Sequence, residues 1–202
     1  MPIRTAPHPA HQVPLSVALK AHTRHVHDRL DQHLLGQAIF ASTERYLRFL
    51  RVQWHFHDAV APILRAGADD GRLALLEQDF RDLGARRPDA HAWRPQLQQA
   101  SPATVLGWRY VAEGSTMGAA VLLKAAAGLG LHAGHGARHL CPSPLGVAEY
   151  WRRTREQLDA ATLGPADTKR ACIAAAEAFQ FVRRCVDEEF SSGLNVFTFT
   201  QW

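Results

Sequence analysis

Cysteine is scarce in this 202-residue chain: Cys141, Cys172 and Cys185 are odd in number and show no Cys-x-x-Cys spacing. A disulfide framework and a structural zinc site are thereby excluded, and a reducing, cytoplasmic compartment is expected. Long apolar runs are missing as well. The longest small-apolar stretch, Gly114 to Leu131, is interrupted by Lys124 and follows Arg109 and Glu113, so no membrane span is expected. Residues 1–14, MPIRTAPHPAHQVP, lack the apolar run of a signal peptide and are expected to form a flexible N-terminal arm. Glu-x-x-His, the ligand pair of di-iron carboxylate bundles, does not occur, which removes that class despite twelve histidines. The formal charge of +4 is spread over scattered basic residues with no aromatic residues interleaved as a motif. Nucleic acid is therefore not an expected partner, whereas an acidic electron-transfer protein would be attracted to such a surface.

What the chain has in quantity is apolar residues, 47% of the total, at helical spacing. Leu15, Leu19, Val26, Leu30 and Leu34 make one stripe, and Tyr46, Leu47, Leu50, Trp54, Val60 and Leu64 make a second. Strand-like alternation is absent. The pattern predicts an all-α, single-domain bundle over 15–190, with helices at 15–35, 42–66, 70–84, 102–128, 144–162 and 166–190. Ser101 before Pro102 is an N-cap followed by a first-turn proline, and Gly164-Pro165 separates the last two helices. Residues 191–202 form a C-terminal tail without a decisive pattern.

Two glycines stand inside the predicted fourth helix, in YVAEGSTMGAAVLLK (110–124), at a propensity cost of roughly 2 kcal/mol. Gly114, Ser115, Gly118 and Ala119 fall on one side of it, a face with almost no side chains. Two uses fit such a face: tight packing of another helix, or close approach of backbone to a flat ligand. On the first helix, His27 follows Lys20 by two turns, about 10 Å of rise, with Thr23 between them. That spacing permits an iron macrocycle ligated by His27 with its peripheral carboxylates at Lys20, and equally a hydrogen-bonded helix histidine. His135 and His139 flank Gly136, so a loop or helix start is expected there in preference to a metal pair. Trp151 and Phe179 are expected in the core, and Cys172 and Cys185 as buried, unreactive thiols.

Five separated segments, LKAHTRHVHDRLD (19–31), FLRVQWHFHDAV (49–60), LEQDFRDLG (76–84), GWRYVAEGSTMGAAVLLK (107–124) and HGARHL (135–140), together resemble bacterial heme oxygenases of the iron-acquisition type. The likeness spans roughly residues 15 to 190. It implies a helical fold with heme between a proximal and a distal helix. His27 matches the proximal iron ligand, in the family pattern of Thr23 followed four residues later by His. Gly114, Ser115, Gly118 and Ala119 match the distal helix that crosses the heme face. Lys20 and Tyr110 match positions that contact heme propionates in some members, although a core role for Tyr110 stays open. Gln53 and His57 match polar positions near a distal water network. Many members carry a second glycine where Ala119 stands, and the iron-acquisition type often has alanine there.

The resemblance implies an enzyme for which heme is substrate and cofactor at once, cleaved with dioxygen and reducing equivalents to biliverdin, ferrous iron and carbon monoxide. Members that cleave at unusual meso positions carry a lysine just after the residue matching Lys124. Here that residue is Ala125, which with Lys20 and Tyr110 favours α-meso cleavage. A ferredoxin or flavoprotein reductase is the expected electron donor, and a monomer the expected state. Two rivals are a non-catalytic heme-binding protein on the same fold and a thiaminase-like enzyme. The latter needs a cysteine nucleophile, for which none of the three cysteines has the setting.

Overall fold

In the computed structural model, residues 13–64 and 71–191 are described. Their helices are α1 (Leu15–Gly36), α2 (Thr43–Leu64), α3 (Arg72–Asp82), α4 (Pro102–Gly114), α5 (Thr116–Ala126), α6 (Val147–Asp159) and α7 (Pro165–Ser191). Short 3-10 turns stand at Leu97–Gln99, Ala127–Leu129 and Arg138–Leu140. Among the described residues there is no strand, so the all-α, single-domain expectation holds. Apart from Val13, Pro14 and Ser191, the expected arm 1–14 and tail 191–202 lie outside the described residues. No helix of the described residues is long and apolar enough to cross a membrane.

The bundle is organised around α7, about 40 Å long at 1.5 Å per residue. Its small residues let α4 approach closely: a β-carbon on Gly107 would stand 2.3 Å from the Ala171 carbonyl oxygen and 2.9 Å from the Ala174 side chain. The small-residue helix crossing is thus at Gly107 on α4, two turns before Gly114. Around it Val52, Phe56, Trp108, Val111, Ala175, Phe181 and Val182 form the main core. A second core gathers Tyr46, Phe49, Ala119, Ala126, Leu131, Ala137 and Leu140, joining α2, α5 and the 135–140 turn.

The predicted helix 102–128 is broken in two. Ser101 caps it as expected, its side chain accepting from the Thr104 N–H at 3.2 Å. The break falls at Ser115, where the Ser115 hydroxyl donates to Ala112 O and the Thr116 hydroxyl donates to Glu113 O, both at 2.7 Å. Hydroxyls bonded back to carbonyls three residues earlier bend a helix, and Gly114 removes the side chain that would stiffen it. Apolar periodicity runs through the bend unbroken, which is why the spacing predicts one helix.

Helix α1 is tied at both ends. At its N-terminus the Asp159 carboxylate, at the end of α6, accepts from Ser16 N at 2.8 Å and from the Ser16 hydroxyl at 2.9 Å. This satisfies an orphan first-turn N–H and sets a negative charge at the positive end of the helix. Toward its C-terminus His33 Nε2 lies 2.6 Å from Asp187 on α7.

Candidate functional site

His27 stands in the middle of this doubly anchored α1. Its imidazole Nδ1 is 3.1 Å from the Asp31 carboxylate one turn on, and the edge of its ring meets Phe179 of α7, with centroids 5.3 Å apart. In the tautomer with the proton on Nδ1, on the side of Asp31, Nε2 carries the lone pair that a metal requires. Just over half of the His27 side chain is exposed, so a ligand can reach it from solvent. Phe179 is a core residue as the sequence implies, and it also fixes the His27 ring.

Thr23 and Tyr110 come together. The Tyr110 hydroxyl lies close enough to the Thr23 side chain to interact with it, the Thr23 hydroxyl donates to Leu19 O at 2.8 Å, and burial raises the Tyr110 pKa. Tyr110 also packs on Trp151 of α6, centroids 5.7 Å apart, and Trp151 is the neighbour that a β-carbon on Gly114 would meet, at 3.6 Å. A continuous chain of contacts therefore leads from α1 through Thr23, Tyr110 and Trp151 to Gly114. Lys20 is exposed one turn before Thr23.

The four residues of the bare face part company in the structure. Gly114 is turned toward Trp151 at ordinary contact distance. Ser115 is exposed at the break, and Ala119, 3% exposed, is buried in the second core beside Phe49. Gly118 alone faces open space: a methyl there would meet no atom within 4 Å. Beside it Met117 and Val121 are 44% and 72% exposed, so α5 shows an apolar surface with a bare centre. The four share one side only on an unbroken helix, and here the helix is interrupted at Ser115.

Gln53 and His57 lie one turn apart on α2, Gln53 half-buried and His57 fully buried. Burial, with the nearby positive charge of Arg72 and then His139, pushes the His57 pKa well below the usual histidine range, so the ring is neutral. His139 is equally buried. Its Nδ1 lies 2.7 Å from Asp79 Oδ2, and Asp79 also accepts the N–H groups of Arg138 and His139 at 2.8 and 3.0 Å. Among the described residues neither His57 Nε2 nor His139 Nε2 has a hydrogen-bond partner. The His139 ring meets Phe49, which places this polar pair behind the core that carries Ala119.

The 135–140 motif, obscure in sequence, is an anchoring turn. Gly136 adopts φ +71°, donates its N–H to Asp82 Oδ2 at 2.8 Å and accepts the Tyr46 hydroxyl on its carbonyl at 2.8 Å. His135 and His139 diverge, one exposed and one in the core, as the expectation of a turn requires. Among the described residues no group of three or more His, Cys, Asp or Glu side chains is placed to hold a metal ion. The three cysteines are unpaired, and burial pushes the Cys185 thiol up to about 12, which rules it out as a nucleophile. Asp31 was the functional neighbour missed by sequence reasoning; its signal was the His-x3-Asp spacing that puts both side chains on one helix face.

A half-exposed histidine on one helix and an apolar helix face bare of side chains on another are the features of this fold open to a ligand. The heme oxygenase family model matches residues 13–188, and the chain belongs to that family. It is 33% identical over 182 residues to heme oxygenase PigA of Pseudomonas aeruginosa, covering 86% of this chain and 92% of that protein. The NO- and CO-bound heme oxygenase of Neisseria meningitidis superposes with a TM-score of 0.81 at 35% identity, over 89% of this chain and 94% of that one. Heme oxygenase from Leptospira interrogans, 15% identical, shares the fold with a TM-score of 0.74 over 87% of this chain and all of its own. The protein is a heme-degrading enzyme that produces biliverdin, with heme as its substrate and cofactor.

Proposed function

We propose that heme binds with its iron on His27 Nε2, its face against the α5 surface at Gly118, and its propionates toward Lys20 and Tyr110. The observation that carries this reading is the setting of His27, half exposed yet held against Phe179, with the Asp31 carboxylate 3.1 Å from Nδ1 and Nε2 left toward solvent for a ligand. Bound heme supplies the iron at which dioxygen is activated. Because Asp31 is itself exposed, its hold on the imidazole is screened by water, and His27 remains a moderate electron donor compared with a thiolate.

The groups of the distal side support a site without a strong acid. The Ser115 proton is committed to Ala112 O, so its hydroxyl can accept a hydrogen bond without giving up a proton. His57 is neutral, and its Nε2 and that of His139, buried and without a partner among the described residues, suit a bond to ordered water. Gly118 leaves the α5 backbone close to whatever lies on this face, excluding bulk solvent without filling the space.

We assign α-meso cleavage, with release of ferrous iron and carbon monoxide. Its support is the small, exposed Ala125, where the lysine of differently cleaving members would stand. Reducing equivalents come from an acidic ferredoxin or flavoprotein reductase, drawn by the net charge of +4. We take the enzyme to act as a cytoplasmic monomer, with iron release from heme as its role. The test of the ligand assignment is His27→Ala in a hemin titration: loss of the five-nitrogen heme spectrum, with recovery on added imidazole, is expected. An unaltered spectrum would remove His27 from the iron. Chromatography of the product, expected to give the α isomer, would show mainly β or δ biliverdin if the regiochemistry were otherwise.

A further inference from the structure

Glu113 is 4% exposed and sits at the last turn of α4, where a negative charge opposes the helix dipole. A buried carboxylate in that position is costly unless it is held, and two groups hold it. The Tyr150 hydroxyl of α6 donates to Glu113 Oε2, and Arg109, one turn back on α4, brings its Nε within 3.6 Å of Oε1. Arg109 is steered in turn by Gln157 of α6, whose side-chain oxygen accepts from Nη2 at 2.5 Å. Trp151, the residue after Tyr150, closes the same contact by covering Gly114. Helix α6 therefore grips α4 at the residue that precedes the bend.

We infer that the Tyr150–Glu113 hydrogen bond is a specificity-determining clamp: it fixes the angle between α4 and α5 and so the position of Gly118 over the substrate plane. The lever arm makes the angle matter. A change of about 10° at Ser115 moves Gly118, three residues on, by roughly 0.8 Å, and the far end of α5 by roughly 3 Å, at 1.5 Å of rise per residue. Back-bonding by Ser115 and Thr116 bends the helix without choosing an angle, since each bond lies within one turn. The choice falls to α6, which contacts α5 as well as α4 and is locked to α4 at Glu113. Glu113 and Tyr150 are positioning residues; neither needs to touch heme.

This inference rests on the proposed heme site under α5, and the experiment separates the two. Tyr150→Phe keeps the ring and removes the donor; Glu113→Gln keeps an acceptor for Tyr150 and serves as the conservative control. Each is purified, loaded with hemin, and measured for the acid–alkaline transition of the ferric complex and for the biliverdin isomer distribution. In Tyr150→Phe the transition is expected to shift and the minor isomers to rise about threefold relative to the major one, roughly 0.7 kcal/mol in relative barriers. Glu113→Gln is expected to stay near the parent in both. A Tyr150→Phe protein of lowered melting temperature with parental transition and isomers would overturn the clamp, leaving a purely structural contact. Failure of the parent protein itself to take up hemin would overturn the heme site instead, and the clamp with it.

Discussion

At His57 the protein keeps an imidazole away from water and beside positive groups, and His91 and His139 are likewise depressed chiefly by burial. The unfolded chain takes up protons at these rings near pH 6.5 while the folded one does not. Stability is thus fully present above about pH 6.5 and is lost as pH falls below it, toward the folded-state values, by up to about 1.4 kcal/mol per pH unit per ring. Thermal melts at pH 7.5, 6.0 and 5.0 should show this, and His57→Gln should flatten the dependence by one ring. An equal slope in the variant would mean that His57 titrates normally. At the same scale, Gly118→Leu should fill the open α5 face and weaken hemin binding at least tenfold, whereas Gly114→Ala, with Trp151 at 3.6 Å, should leave it within about twofold. Fluorescence quenching titrations compare the two. The sequence marked both glycines alike, because helical spacing says which residues neighbour one another but not what lies opposite. His27 was legible through its motif, yet Phe179 beside it comes from a helix some 150 residues away in the chain and carries no local signal.

Among the elements, α1, α2, α3, α6 and α7 fall where apolar spacing puts them, with the ends inside the described residues displaced by a few residues; predicted positions 65–66 and 70 lie outside the described residues. The helix that carries the distal face does not, since periodicity cannot register a bend that preserves it. Nor does spacing reveal which small residues pack against a helix: the close crossing lies at Gly107 against Ala171, Ala174 and Ala175. A β-carbon there meets backbone that has no room to give, so Gly107→Ala should cost about 2–3 kcal/mol, an overpacking penalty. Chemical denaturation is the measurement, and a loss below about 0.5 kcal/mol would mean that α4 and α7 separate easily. The α1 anchor is a second case. Asp159→Ala removes both bonds to Ser16 and should lower stability by about 1–2 kcal/mol, the worth of an N-cap, and loosen the helix that carries His27. Hydrogen exchange at the first turn of α1 reads that loosening directly.

For the whole molecule, the arrangement places the histidine helix and the glycine helix on a common frame: α7 supports His27 through Phe179, and α6 holds both the start of α1 through Asp159 and the bend before α5 through Tyr150 and Trp151. The frame was readable only as a succession of helices, because it is made of contacts between residues far apart in sequence. Family membership then joins frame to chemistry, and the central claim is that this chain takes up heme at His27 and destroys it. The most direct measurement is to titrate hemin into the purified protein, add a reductant in air, and follow the Soret band together with the products. The expected result is a Soret band saturating at one hemin per chain, its decay as biliverdin absorption rises, and release of carbon monoxide in step. A stable Soret band with no biliverdin would contradict catalysis, and the absence of any heme spectrum would contradict the site itself.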